Sequence, residues 1–206
     1  MLDHILLGCK DLQSGIDFVE RRTGVRAAFG GVHPGRGTQN ALLSLGEWHY
    51  LEIIALDPAQ PDSKNPRALS LKNLNAPRLI GWAAHPGPLA SFAKKLQEAG
   101  VAFDGPTPGS RKRHDGRLLQ WQTLDLKDDA SGLLPFFIEW SADSHHPSAD
   151  APAGLRLAQF ELATPQPGAL GKTAALLSLD VSITKAAQPR IISALAGPKG
   201  NLKLTS

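Results

Sequence analysis

Tyr50-Leu51-Glu52-Ile53-Ile54 is a short apolar run with a carboxylate at its centre. Its brevity and its β-branched and aromatic content read as a strand. A carboxylate on the core side of a strand is costly to bury unless a cation, a proton or hydrogen bonds compensate it. The text returns at Phe136-Phe137-Ile138-Glu139-Trp140, and His4 interrupts an N-terminal run, Leu2-Asp3-His4-Ile5-Leu6-Leu7, in the same way. Three polar residues embedded in the strands of one small chain predict a single shared polar pocket.

Working outward from Glu52, the preceding text predicts a strand over Leu2–Cys9 and a helix over Asp11–Arg22. Asp11 is placed to cap that helix, and Leu12, Ile16 and Val19 fall at helical spacing. Thr23-Gly24 stops it. Strands over Val25–Phe29, Ala41–Leu45 and Trp48–Ala55 follow. The same β-α-β-β-β order recurs: Leu79–Ala84, a helix over Pro88–Ala99, then Val101–Phe103, Leu118–Leu126 and Pro135–Trp140. A third, shorter series runs from Leu155 to Leu204. Repetition at this scale predicts duplicated units, over residues 1–56 and 77–141, with a partial third unit over 155–206 and linkers at 57–76 and 142–154. Glu52 and Glu139 both occupy the last strand of their unit, and that equivalence is the strongest sign that the two units are related.

The 206 residues are 42% hydrophobic, enough for a real core. A net charge of +3, from 22 basic and 19 acidic residues, is too small and dispersed to argue for nucleic acid. The single Cys9 leaves no intrachain disulfide and no cysteine-rich zinc motif, as in a reducing compartment. No apolar stretch approaches the ~20 residues that span a bilayer, and no signal peptide is read at the N-terminus. The expectation is a cytoplasmic protein with no membrane or nucleic-acid partner. Sixteen prolines and twenty glycines, mostly between the apolar runs, suit many short strands joined by turns.

Four fragments in order resemble the glyoxalase-like domain family of the vicinal oxygen chelate superfamily (glyoxalase, bleomycin resistance and dioxygenase proteins). They are Leu2-Asp3-His4-Ile5, His33-Pro34-Gly35-Arg36-Gly37-Thr38-Gln39-Asn40, Tyr50-Leu51-Glu52-Ile53-Ile54 and Leu134-Pro135-Phe136-Phe137-Ile138-Glu139-Trp140. The likeness covers roughly the first 140 residues well and the last third weakly. It implies an α+β fold in which paired βαβββ modules curl into a cup-shaped, partly closed mixed sheet. It further implies a divalent metal ion (Fe, Mn, Ni, Co or Zn) held by His4, Glu52 and Glu139, which chelates two neighbouring oxygens of a substrate. The fourth ligand position falls near Gly81 or Trp82, where no His, Gln or Glu stands.

An imidazole with two carboxylates is a sensible donor set for such an ion, and a Glu in an apolar cup is equally a general base or acid without one. Glu52 and Glu139 are therefore the catalytic candidates. The bland readings stand beside these: His4 as a strand histidine bonded across the sheet, and the two glutamates satisfied by Arg36, Arg113 or Arg117. The loop His33–Asn40 supplies His33, Arg36, Thr38 and Asn40 as donors at the mouth of the cup, or merely a bend. The cationic stretch Ser110–Arg117 adds Arg113 as an anion-binding group, or is a solvated hairpin tip. Trp121 and Gln122 alternate faces, and Trp121 is taken as the aromatic wall. His145-His146 reads as surface linker.

The functional expectation is a small-molecule enzyme of isomerase, lyase or dioxygenase type acting on an oxygen-rich or anionic metabolite. The alternative is a non-catalytic sequestration protein with the same cup and no metal. The third unit has no His, and its last strand has no acid, so it is expected to be structural, extending the sheet or supplying the surface of a homodimer.

Overall fold

A computed structural model describes residues 1–112, 116–127, 129 and 131–206; Arg113 lies outside the described residues. The first module comprises β1 (Leu2–Gly8), α1 (Leu12–Thr23), β2 (Ala28–His33), β3 (Thr38–Ser44) and β4 (Tyr50–Leu56). A short helix, α2 (Pro66–Lys72), occupies the linker. The second module is β5 (Arg78–Ala84), α3 (Leu89–Glu98), β6 (Phe103–Lys112), β7 (Leu118–Leu126) and β8 (Phe136–Trp140). After α4 (Pro147–Asp150) come β9 (Arg156–Thr164), α5 (Pro167–Leu176), β10 (Ser182–Lys185), β11 (Arg190–Gly197) and β12 (Gly200–Thr205).

Helix α1 forms where its sequence directs. The Asp11 carboxylate accepts from the Ser14 amide at 2.7 Å, and Leu12, Ile16 and Val19 are buried at helical spacing. Gly24, at φ 81°, adopts the left-handed conformation that closes the helix by donating to the Glu20 carbonyl. Helix α2 is a departure from the expected Pro-rich linker. Asn65 caps it and Pro66 sits at its first turn, where a missing N–H costs nothing.

The two modules share one eight-stranded sheet, ordered β2-β3-β4-β1-β5-β8-β7-β6. Each joins its first and last strands in parallel, β1 with β4 and β5 with β8, and β1 meets β5 antiparallel at the centre. The internal repeat is thus a real two-fold arrangement of strands. The sheet curls until its end strands approach each other, where the Arg111 guanidinium on β6 donates to the Gly30 carbonyl on β2. Gly30 has no side chain, so Arg111 and Asn40 can lie against its backbone.

The third unit also reads strand-helix-strand-strand-strand, but it has a different topology. Its sheet is ordered β10-β9-β11-β12, with the first strand parallel to the second rather than to the last. It neither extends the large sheet nor repeats the module. Instead β11 and β12 pack on α1 and β5. Leu155, Leu162, Ile191, Leu195, Leu202 and Leu204 enter the same apolar cluster as α1, Trp82 and Phe137. Helix α1 is therefore sandwiched between the outer face of the large sheet and the small one. Cys9 lies in this core, and burial, aided by Asp11, pushes its thiol up to about 12. Among the described residues no helix is long and apolar enough to cross a membrane.

Candidate functional site

The inner face of the curled sheet encloses a cavity of about 390 Å³, within the range of small-molecule sites. Strand alternation decides what faces it. On β4, Tyr50, Glu52 and Ile54 line the cavity while Leu51, Ile53 and Ala55 enter the core behind the sheet. On β8, Phe136, Ile138 and Trp140 face inward; on β7, Trp121, Thr123 and Asp125 do.

Strand β1 breaks the alternation. Leu2 pairs with Ala84 and His4 with Ala83, so Asp3 is the extra residue of a bulge. A bulge re-aims side chains. Here two consecutive polar residues, Asp3 and His4, meet in the buried interior, at 3% and 2% exposure. The His4 ring stacks on Tyr50 with centroids 4.4 Å apart.

Glu52 sits at the centre of the polar cluster. Asn40 Nδ2 donates to its Oε1 at 2.7 Å, His33 Nε2 stands 3.7 Å from the same oxygen, and His4 Nε2 stands 3.6 Å from Oε2. Burial alone would raise this carboxyl, but His33, His4, the Asn40 hydrogen bond and Arg67 together hold it below its ordinary value. The group is a buried, ionised carboxylate. Arg36, Arg67 and Arg111 also line the cavity, Arg67 delivered by α2 and lying 5.3 Å from the Phe136 ring centre. The opposite wall is aromatic, with Trp121 and Trp140 5.5 Å apart.

His33 donates to or accepts from Thr38 Oγ1 at 2.8 Å. Burial pushes its imidazole down to about 4, opposed by Glu52 and reinforced by the three arginines. An imidazole held below its unfolded value of 6.5 binds its proton in the unfolded chain first. Its contribution to stability is complete above pH 6.5 and drains away as pH falls toward 4. Wild-type protein is expected to lose roughly 2 kcal/mol between pH 6.5 and 4.5, at up to about 1.4 kcal/mol per pH unit, read from urea midpoints. His33→Asn should flatten that segment of the curve. Asp3 and Glu52, both held below their ordinary values, add their own losses only at lower pH.

The cavity brings together His4, His33, Arg36, Thr38, Asn40, Glu52 and Trp121 from the residues singled out in the sequence. Glu139 is not among them. As the fourth residue of β8, between the inward-facing Ile138 and Trp140, it turns to the outer side of the sheet, where Oε2 accepts from the Leu89 amide at the start of α3 at 2.8 Å. The similarity to the text around Glu52 hides a one-residue change of frame, and one residue reverses every side chain of a strand. Of the arginines named as partners for the glutamates, Arg36 lines the cavity with Glu52 and Arg113 lies outside the described residues. Glu52 is met by two imidazoles and an amide, and Arg117 pairs with Asp150.

Sequence reasoning missed Asp3, Tyr50, Arg67 and Trp140, read His146 as surface linker, and reached Arg111 only as part of the cationic stretch for which Arg113 was singled out. Asn65-Pro66 is a legible helix start that could have drawn attention to Arg67. His146 is buried at 8% exposure rather than lying on the surface, and no local signal marks it.

The metal-ligand set implied by the resemblance does not form. The cup-side positions of β5 and β8 carry Gly81, Ala83, Phe136 and Ile138, which offer no donor, and Glu139 points away. His4 and His33 approach different oxygens of one carboxylate, one of which Asn40 already occupies. Among the described residues no three His, Cys, Asp or Glu side chains form a group able to hold a metal ion.

A model of the glyoxalase-like domain family matches residues 2–177. No curated protein matches the chain in sequence. Among solved structures, a hypothetical protein from Staphylococcus aureus is similar over 99% of this chain and 84% of its own, at 16% identity and a TM-score of 0.68. A methylmalonyl-CoA epimerase from Mycobacterium tuberculosis is similar over 68% of this chain and 87% of its own, at 20% identity and a TM-score of 0.50. A methylmalonyl-CoA epimerase in complex with methylmalonyl-CoA and NH4+ aligns over 71% and 97%, at 19% identity and a TM-score of 0.51. At these identities the structural likeness bears on the fold alone.

Proposed function

The chain belongs to the glyoxalase-like domain family of the vicinal oxygen chelate superfamily, and from that membership we propose that its cup is an active site for proton transfer in a small anionic metabolite. The observation that carries this reading is Glu52: a carboxylate kept ionised at 7% exposure, between two imidazoles, in a cavity that three guanidinium groups also line. Burying such a group without a cation directly on it is costly, and sites that bear the cost are enriched in function.

The chemistry follows from the donors. Arg36 and Arg67 hold the carboxylate of the substrate, fixing the carbon next to its carbonyl above Glu52. Oε2 is the oxygen that Asn40 leaves uncommitted. It takes the proton as the C–H bond breaks and the electron pair moves onto the carbonyl oxygen. The guanidinium groups stabilise the negative charge that develops there. His4 Nε2, 3.6 Å from Oε2, is placed to relay that proton. Return of the proton to the opposite face gives an epimer, and return to the neighbouring carbon gives an isomer. Loss of a group from that carbon makes the protein a lyase. The epimerases of similar fold are named for a substrate of this class, a carboxylate beside a thioester carbonyl.

The test is deuterium wash-in at that carbon, followed by proton NMR in D2O, over a panel of short 2-oxo acids and malonate-type thioesters. At least one member should exchange with saturation, and the rate should be unchanged after treatment with EDTA. Loss of exchange on chelation, restored by a divalent ion, would overturn the metal-free chemistry. Saturable binding with no exchange from any panel member would favour the sequestration reading, which the lack of a metal-binding side chain on the cup side of β5 and β8 supports.

A further inference from the structure

Asp3 is a nearly fully buried carboxylate that the proton-transfer step above does not touch, and three donors converge on it. His4 Nδ1 lies 2.6 Å from Oδ1. Trp140 Nε1 donates to Oδ2 at 3.1 Å, and His146 Nε2 lies 3.2 Å from the same oxygen. The two imidazoles come from opposite ends of the fold, His4 from the first strand and His146 from the linker that follows the second module.

We propose that Asp3 is a positioning residue for the active site, fixing the His4 ring so that Nε2 faces Glu52, and that His146 holds Asp3 in place. This rests on the reading of Glu52 as the base.

The hydrogen positions follow from the partners. Trp140 Nε1 can only donate, and it converges with two imidazole nitrogens on the two oxygens of Asp3, the arrangement of an ionised carboxylate. An ionised carboxylate only accepts, so the His4 nitrogen facing it carries the proton. That leaves Nε2 as the ring atom turned to Glu52, free to take and return a proton. Tyr50 stacks on the ring at an interplanar angle of 20° and fixes its plane. His146 is oriented in its turn. It caps α4, where its Nδ1 accepts from the Ser148 amide at 3.3 Å, so its Nε2 is the donor to Asp3. Trp48, Tyr50 and Trp140 surround its ring at 5.3 to 5.7 Å. A carboxylate that merely anchored the linker would need His146 and Trp140 alone. The short contact to His4 is what ties it to the chemistry.

The test is nitrogen-15 NMR of labelled histidines in the full chain, alongside the exchange assay. Wild-type His4 should carry its proton on Nδ1. In Asp3→Asn, the population should move toward the Nε2-protonated form. The kcat for exchange should fall by about 10²–10⁴-fold, as when an imidazole loses the aspartate that sets its tautomer, with KM changed less than about threefold. His146→Ala should shift the same signals part of the way and lower kcat by roughly tenfold. A folded Asp3→Asn protein with the wild-type His4 tautomer overturns the proposal. Should that variant fail to fold, His146→Ala decides alone, and unchanged His4 signals overturn it. Absence of exchange in the wild type would sink the assignment of Glu52 while the imidazole spectra still decide the Asp3–His4 link.

Discussion

Glu52→Gln is expected to slow proton exchange by 10²–10⁴-fold, the span that a positioned general base contributes. The substitution keeps the shape of the side chain and an oxygen for the Asn40 amide, but it removes the basic lone pair and the charge. The sign of the binding effect separates this role from others. Glu52 is an anion in a site proposed to hold an anion, so neutralising it should leave KM unchanged or lower it. Were Glu52 only a support for the pocket, binding would weaken and the rate per bound molecule would hold. An exchange rate within tenfold of wild type, with the substrate still saturating, would remove Glu52 from the chemistry. Stability should respond as well. His4, His33 and Asn40 would lose their anionic partner, and a charged partner of a buried hydrogen bond is worth about 1.5–3 kcal/mol.

A chain ended at residue 154 should not yield a soluble, cooperatively folded protein. The third unit looks dispensable by content, since none of its residues lines the main cavity. Its packing says otherwise. It covers α1 and β5, sets Phe160 edge-on against Trp82 at 5.1 Å, and donates a hydrogen bond from the Lys199 amide to the Thr23 carbonyl at the end of α1. Among the buried aliphatic side chains it contributes to the common core are Leu155, Leu162, Ile191, Leu195, Leu202 and Leu204. At about 1.5–3 kcal/mol each, their burial matches the whole net stability of an ordinary domain, about 5–15 kcal/mol. The truncated chain should aggregate, or bind a hydrophobic dye and unfold without a sharp transition. A monomer with a cooperative urea transition near that of the full chain would make the third unit an independent appendage.

Much of this architecture was legible in the residues. Apolar runs bounded by Gly and Pro located most strands, because burial on a pleated surface demands that pattern. Asp11, the Leu12-Ile16-Val19 stripe and Gly24 specified α1 locally, since caps and amphipathic spacing act within a few residues. The recurring strand-helix-strand order predicted the two modules, and polar residues in apolar runs pointed to His4 and Glu52. Less was legible where neighbouring text gave no direction. Phe136–Trp140 is apolar on both faces, so nothing in it says which way Glu139 turns, and only the register with β5 and β7 sends it to α3. Strict alternation would part Asp3 from His4, and the bulge that joins them arises from pairing with β5.

The sequence by itself determined most of the elements, the repeated strand-helix-strand order and the presence of a buried carboxylate and imidazole, because periodicity, capping and the cost of burying charge are local properties of the chain. Only the tertiary structure decided which acids share a cavity, that Arg111 closes the sheet against Gly30, that His146 reaches Asp3, and that the last unit covers α1. Those depend on strand register and on contacts between residues far apart in the chain, where a shift of one position reverses a face and no nearby residue records the choice.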